Sequence, residues 1–150
     1  MSKPVVYLAG LISTEVPESL YWRLKVEPRL TEAGFEVLSP MRGKNPKALV
    51  QGGLVDPNVT SKDILMRDFH DVKRADVILA HLEIFGGNRS LLGTIAELAW
   101  AWQLTTPVVG IADLQNSLMR NHPFVREFIS HYHCNIYDAA EFIINYYGRK

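Results

Sequence analysis

Two carboxylates stand where a purely structural sequence has little use for charge. The segment Leu92 to Leu104 contains a single charged residue, Glu97. A helix apolar on all faces is buried, here between its own sheet and a partner chain, and a carboxylate inside it is expensive unless paired or functional. Thr94 and Glu97 also have capping-box spacing, with Glu97 folding back on the Thr94 amide. The two readings are compatible. A glutamate in a first helical turn feels the positive end of the dipole and stays ionised, as a nucleophile must.

The second carboxylate is Asp68. In the segment Ser61 to Arg74, Asp63 has Arg67 four residues on, and Asp71 has Arg67 and Arg74 within reach, which reads as ordinary surface pairing. Asp68 instead has Ile64, Leu65 and Val72 at helical spacing and another acid, Asp71, beside it. Apolar flanks and a neighbouring acid both raise a carboxyl pKa and suit it to donate a proton; a tertiary contact is the plainer alternative. Tyr7 lies near the carboxyl end of the first apolar run, as core or as a hydroxyl facing a ligand. Two acids and a tyrosine at one sheet edge suit glycosidic chemistry: one carboxylate attacks the anomeric carbon and the other acid protonates the leaving group.

Several other chemistries lack their residues. The turn Leu8-Ala9-Gly10-Leu11-Ile12-Ser13 has one glycine and no G-x-G-x-x-G, so it is not built to seat a dinucleotide pyrophosphate. The sequence contains neither a G-x-x-x-x-G-K-[ST] loop nor a G-x-S-x-G elbow. His131 and His133 would point apart on a helix and have no third ligand in view, which predicts no metal site. The single cysteine, Cys134, leaves no internal disulfide.

These residues belong to a chain of 150 residues, 47% hydrophobic, with 16 basic and 16 acidic side chains. That size and apolar content predict one globular domain spanning 1–150. A formal charge of zero argues against nucleic-acid or anionic-membrane partners. No run reaches the roughly 18 to 20 apolar residues of a membrane span, and the start does not read as a signal peptide, so a cytoplasmic protein is expected.

The elements that must position the carboxylates alternate. Strands are expected at Pro4 to Ala9, Phe35 to Leu38, Asp76 to Leu82 and Pro107 to Ile111, with a weak one near Cys134 to Tyr137. Helices are expected at Glu18 to Ala33, closed by Gly34 and kinked or split at Pro28, then from Thr60 or Ser61 to Arg74. Further helices follow at Leu92 to Leu104, from Pro123 to Ser130, and at Asp138 to Tyr147. Ser39 to Asn58 has no periodicity; about twenty residues exceed the usual loop and suggest a cover over a binding site. This alternation predicts an α/β fold: a flavodoxin-like, doubly wound, parallel five-stranded sheet of order 2-1-3-4-5 with helices on both faces. Ligands of such sheets bind beyond the carboxyl ends of the strands, where the order reverses.

At this point the residues resemble the nucleoside 2-deoxyribosyltransferase family. The matching segments are Val6-Tyr-Leu-Ala-Gly10, Asp68-Phe-His-Asp-Val-Lys-Arg-Ala-Asp-Val-Ile-Leu-Ala80, Gly93-Thr-Ile-Ala-Glu-Leu-Ala99 and Pro107-Val-Val-Gly110, in the right order. The resemblance implies the flavodoxin-like fold, no cofactor and no metal. It implies that Glu97 is the nucleophile of a covalent deoxyribosyl intermediate, Asp68 the acid and base for the departing and incoming nucleobase, and Tyr7 the residue that orients Glu97. It further implies a homo-oligomer whose second subunit completes the site with an asparagine, Asn121 or else Asn116. Gly10, Met41, Arg42 and Gly93 fall at substrate-binding positions.

One position departs from the family pattern. Where its transferases usually carry an aspartate for the sugar 5′-hydroxyl, six residues before the nucleophile, this chain has Leu91. Related hydrolases of nucleoside monophosphates have serine there, and Ser90 and Arg89 lie one and two residues earlier, able to meet a phosphate. Three readings follow: transfer of deoxyribose from a 2′-deoxynucleoside to a second nucleobase, hydrolysis of a nucleoside 5′-monophosphate with Lys44 or Lys47 assisting, or a sensor without turnover. Trp22 and Phe85 are stacking candidates that discriminate no base.

Overall fold

The computed structural model describes residues 2–13, 16–42, 49–50, 53–54, 58–86, 90–113, 115 and 117–149. Its strands are β1 (Val5–Gly10), β2 (Glu36–Leu38), β3 (Leu49–Val50), β4 (Gly53–Leu54), β5 (Val77–His81), β6 (Val108–Ile111) and β7 (His131–His133). Its helices are α1 (Glu18–Glu32), α2 (Ser61–Arg74), α3 (Leu92–Gln103), α4 (Ser117–Asn121), α5 (Pro123–Phe128) and α6 (Ile136–Tyr147). Five strands form one parallel sheet in the order β2-β1-β5-β6-β7, which is the expected 2-1-3-4-5 once the β3–β4 pair is set aside.

β1 and β5 run through the middle with Val6 opposite Val77 and Gly10 opposite His81. Both are buried on their two faces, so they read as continuous apolar runs rather than alternating ones. The period of two still sorts their side chains. Val6, Leu8, Val77 and Leu79 pack under α1 and α6, against Trp22, Val26, Leu30 and Ile143. Tyr7, Ala9, Ile78 and Ala80 face the other way, against Val72, Leu98, Ala101 and Val125 of α2, α3 and α5. Tyr7 is therefore delivered to the face that carries Glu97.

Local chemistry sets the ends of the elements. Gly34 takes φ +98°, and the Gly34 and Phe35 amides donate to the Thr31 and Leu30 carbonyls, closing α1 as expected. Pro28 neither splits α1 nor ends it; the helix continues to Glu32. Thr60 and Asp63 exchange hydrogen bonds of 2.9 and 3.1 Å in a capping box at the start of α2.

Five expectations need correction. Asp63 is committed to that cap rather than to Arg67. The last strand is His131–His133, ahead of the expected 134–137, because α6 begins at Ile136 and takes the rest; α5 ends at Phe128. On a strand His131 and His133 share a face, and their rings lie 4.8 Å apart. The region 39–58 holds an antiparallel pair, Leu49 opposite Leu54 and Val50 opposite Gly53, so it is not wholly irregular.

Candidate active site

The site is assembled at the carboxyl ends of β1 and β5, the point where the strand order reverses. Tyr7 comes from β1 and is fully buried. Its hydroxyl has no partner of standard hydrogen-bond geometry, yet it faces the Glu97 carboxylate closely enough for looser hydrogen bonding. Burial, the charges of Glu97 and Asp68 and this hydrogen bond push the phenol far above its ordinary 10, against a smaller opposing effect of Arg23. Tyr7 is thus a proton donor that does not ionise, placed against two acids from two helices.

Glu97 is 8% exposed and Oε2 is fully buried. The capping reading fails: α3 starts at Leu92 after Leu91 and has no side-chain cap, while Thr94 is buried inside the helix. Glu97 sits in the second turn, where it terminates no helix and falls beyond most of the dipole's effect. Asp68, half-buried on the adjoining face of α2, turns Oδ1 inward.

Arg42 approaches the same cluster from the segment after β2; hydrogen bonding to Asp71, together with the electrostatic effects of Asp71, Tyr7 and Asp68, leaves it more basic than usual against the opposing effect of burial. Its Nη1 lies 2.6 Å from Asp71 Oδ2 and donates to the Ser39 carbonyl at 3.0 Å. The Asp71 contact is a close ion pair rather than an aligned hydrogen bond, since Oδ2 has no partner of good angle. Asp71 is 1% exposed and so is no surface acid, contrary to expectation. Arg74 pairs with Glu36, and Arg67 donates to the Arg42 and Pro40 carbonyls, which fixes the turn from the other side.

Sequence reasoning missed two further residues. Arg23 of α1 is 1% exposed and reaches around the sheet edge to donate to the Gly10, Leu11 and Ser19 carbonyls at 2.9, 3.2 and 2.8 Å. Its spacing from Leu20, Val26 and Leu30 puts it on the buried stripe of α1, the same sign that singled out Glu97. His81, buried between Trp22 and Phe85 at ring distances of 5.1 and 4.7 Å, is pushed down to about 4 by burial and by Arg23, and is neutral at pH 7. Phe85 adopts φ +56°, an uncommon conformation for a bulky residue that concentrates at functional turns.

The remaining expected residues divide. Gly10 lies against His81 and Trp22, where an added Cβ would meet His81 O and Trp22 Cζ2 at 3.2 Å. Met41 and Arg42 line a cavity of about 210 Å³ together with Leu20, Arg23, Leu24 and Ser39. Ser90, Gly93 and Asn121 are exposed, and the Ser90 and Asn121 side chains add no hydrogen bond to the cluster among the described residues. Leu91 is buried in the core beneath α3. Arg89, Lys44, Lys47 and Asn116 lie outside the described residues. Among the described residues no group of three His, Cys, Asp or Glu side chains is placed to hold a metal ion. A wider apolar groove of about 630 Å³ between α3 and α5, beside Trp102 and Phe124, contains none of the candidate residues.

No family model matches the chain, and no curated protein matches it. Solved structures do. A conserved protein from Enterococcus faecalis V583 superposes with a TM-score of 0.71 at 15% identity, over 96% of this chain and 99% of that one. A 2-deoxyribosyltransferase from the psychrotolerant bacterium Bacillus psychrosaccharolyticus superposes at 0.65 with 22% identity, over 95% and 91% of the two chains. A CMP N-glycosidase from Clostridium botulinum superposes at 0.60 with 14% identity, over 95% and 99%. The five-stranded fold that carries Tyr7, Asp68 and Glu97 is thus a fold that a 2-deoxyribosyltransferase and a nucleotide N-glycosidase also have.

Proposed function

We propose that this chain cleaves the N-glycosidic bond of a 2′-deoxynucleoside and transfers the deoxyribosyl group to a second nucleobase. The observation that carries the reading is the burial of the Glu97 carboxylate against the Tyr7 hydroxyl, on which the charge of Asp68 also acts, at the sheet edge where such folds bind ligands. Glu97 attacks C1′ and forms an ester as the C1′–N bond breaks. The bond's electron pair goes to the base, which takes a proton from Asp68. Asp68 then removes a proton from the incoming base, that nitrogen attacks C1′, and the Glu97 carboxylate is released. Tyr7, which stays protonated, donates toward Glu97 and holds it in line. Gly10, Met41, Arg42, Gly93 and Ser90 are the substrate-binding residues of this reading, together with Arg89, which lies outside the described residues.

Transfer needs the ester kept from water until the acceptor arrives. A second copy of the chain serves this purpose by bringing Asn121 and covering the apolar surface of α3 and α5, where Trp102 and Phe124 are 62% and 70% exposed. Hydrolysis of a nucleoside monophosphate is favoured by one observation: Leu91 is buried in the core and offers no carboxylate to a sugar hydroxyl.

The test incubates the protein with deoxyinosine plus adenine or cytosine, and separately with deoxynucleoside monophosphates, alongside Glu97→Ala. A new deoxynucleoside that needs the acceptor base and disappears in Glu97→Ala supports transfer. Free base and deoxyribose phosphate from the monophosphates alone support hydrolysis. Turnover that survives in Glu97→Ala, or none on any substrate, refutes the role given to Glu97.

A further inference from the structure

The turn that follows β2 is docked on α2 around Asp68. Leu38 of β2 pairs with Tyr7, so the chain leaves the sheet beside that residue and runs on through Ser39 to Arg42. Arg67, next to Asp68 in sequence, donates through Nη2 to the Arg42 and Pro40 carbonyls at 2.8 and 3.3 Å. Asp71, three residues after Asp68, holds the Arg42 guanidinium at 2.6 Å. Residues three apart are neighbours on a helix surface, about 5 to 6 Å between Cβ atoms. The guanidinium is thereby fixed about one helical turn along from Asp68, a separation on the scale of a nucleobase.

The way it is held leaves it able to bind. Both contacts of the guanidinium fall on Nη1, which meets Asp71 and the Ser39 carbonyl. A guanidinium has three further donors, on Nε and Nη2, in one planar fork. The side chain is 39% exposed and lines a cavity of about 210 Å³ with Ser39 and Met41. Its partner Asp71 is 1% exposed. Burying a carboxylate is costly, and a buried ion pair adds little net stability over an apolar pair of similar volume. What the pair does supply is a fixed position for a cation at the cavity wall.

We propose that Arg42, held by Asp71, is the specificity-determining residue for the nucleobase, and that it selects 6-oxopurines over adenine. This deepens the proposed function and rests on the reading of Asp68 as the acid that serves the departing base. An arginine only donates hydrogen bonds, so it matches a base edge that only accepts. Hypoxanthine and guanine present O6 and N7, two acceptors; adenine presents N7 beside the N6 amino group, a donor. The fork therefore attracts the first class and rejects the second. A base is favoured over a phosphate as its partner because the turn is docked around Asp68, which serves the base.

The test measures kcat/KM of the full chain for 2′-deoxyinosine, 2′-deoxyadenosine and the purine 2′-deoxynucleoside with no group at C6. Each is supplied as nucleoside and as 5′-monophosphate, with and without cytosine as acceptor. Wild type should favour deoxyinosine over the other two by about tenfold or more. Arg42→Met should bring the three donors close together. Asp71→Asn leaves the arginine in place but weakens its hold, and should reduce the preference as well. Circular dichroism checks that each variant folds. A merely structural role for the pair would slow all three donors alike and leave their ratio unmoved.

A wild type that treats the three donors alike, or favours adenine, overturns the proposal whether or not the variants fold. So does an unchanged ratio in folded Arg42→Met, and an unchanged ratio in folded Asp71→Asn removes the part given to Asp71. A loss in Arg42→Met confined to the monophosphates, whatever their base, overturns it in favour of a phosphate contact. Turnover of no donor refutes the glycosyl reading and this proposal together. A flat ratio among donors that are turned over leaves that reading standing, so the two failures are distinguishable.

Discussion

Acid should destabilise this protein through one imidazole. His81 is 6% exposed, packed between Trp22 and Phe85 beside the Arg23 cation, and its Nδ1 accepts from the Glu83 amide at 3.3 Å. In the unfolded chain it titrates near 6.5; in the folded chain burial and Arg23 hold it to about 4. Above pH 6.5 both states carry a neutral ring and the stability is fully present. Between 6.5 and 4 the unfolded chain takes up a proton that the folded chain refuses, so stability falls as pH falls. The linkage amounts to about 2 kcal/mol between pH 7 and pH 5, levelling off near 3 kcal/mol below the folded value. The assay is urea unfolding from pH 7 to pH 4.5, comparing wild type with His81→Asn, which keeps an acceptor for the Glu83 amide and cannot titrate. Wild type should lose about 2 kcal/mol more than the variant over the first two pH units. Parallel curves for the two proteins would refute the reasoning.

Arg42→Ala strands the buried Asp71 carboxylate and should cost about 2 kcal/mol in chemical denaturation, discounted because Arg42 is itself partly exposed. Adding Asp71→Ala should restore part of that loss, and a strictly additive double variant would show that the pair is not coupled. Leu98→Ala empties a fully buried place next to Glu97 and should cost about 2 to 5 kcal/mol, read as a lower midpoint at unchanged slope. Gly10→Ala presses a methyl against His81 and Trp22 and should lower Tm, with an overpacking cost of about 1 to 3 kcal/mol; an unchanged Tm would mean the turn gives way freely.

Much of the fold was legible because alternating elements leave few topologies open, and the sheet order followed from the number and spacing of apolar runs. Glu97 stood out for a physical reason: a lone charge on an apolar helix needs an explanation, and tertiary burial supplied it. The capping alternative failed because helix starts are weakly encoded; α3 begins two residues before Thr94, at a leucine. Asp71 and Arg23 were hidden because their decisive partners are remote. Local spacing offered Asp71 two arginines on its own helix, yet the ion pair formed with Arg42. Arg23, among Lys25, Glu27 and Arg29, resembled one more solvated charge until the direction of α1 turned it inward. His131 and His133 were misread through the wrong period, since a strand brings together what a helix separates.

The central position of β1 also governs the order in which this protein can be made. β1 leaves the ribosome before the other strands of its sheet, but its neighbour β5 lies 71 residues downstream by the contact between the Val5 amide and Asp76. At roughly 5 to 20 residues per second, translation needs about 4 to 14 seconds to supply that neighbour. Throughout that interval only β2 is on hand to flank β1, and the other edge of a wholly apolar strand stays open on the nascent chain. The strand that later seats Tyr7 is therefore the one most exposed to wrong pairing during synthesis, and it is the segment a chaperone has most reason to hold.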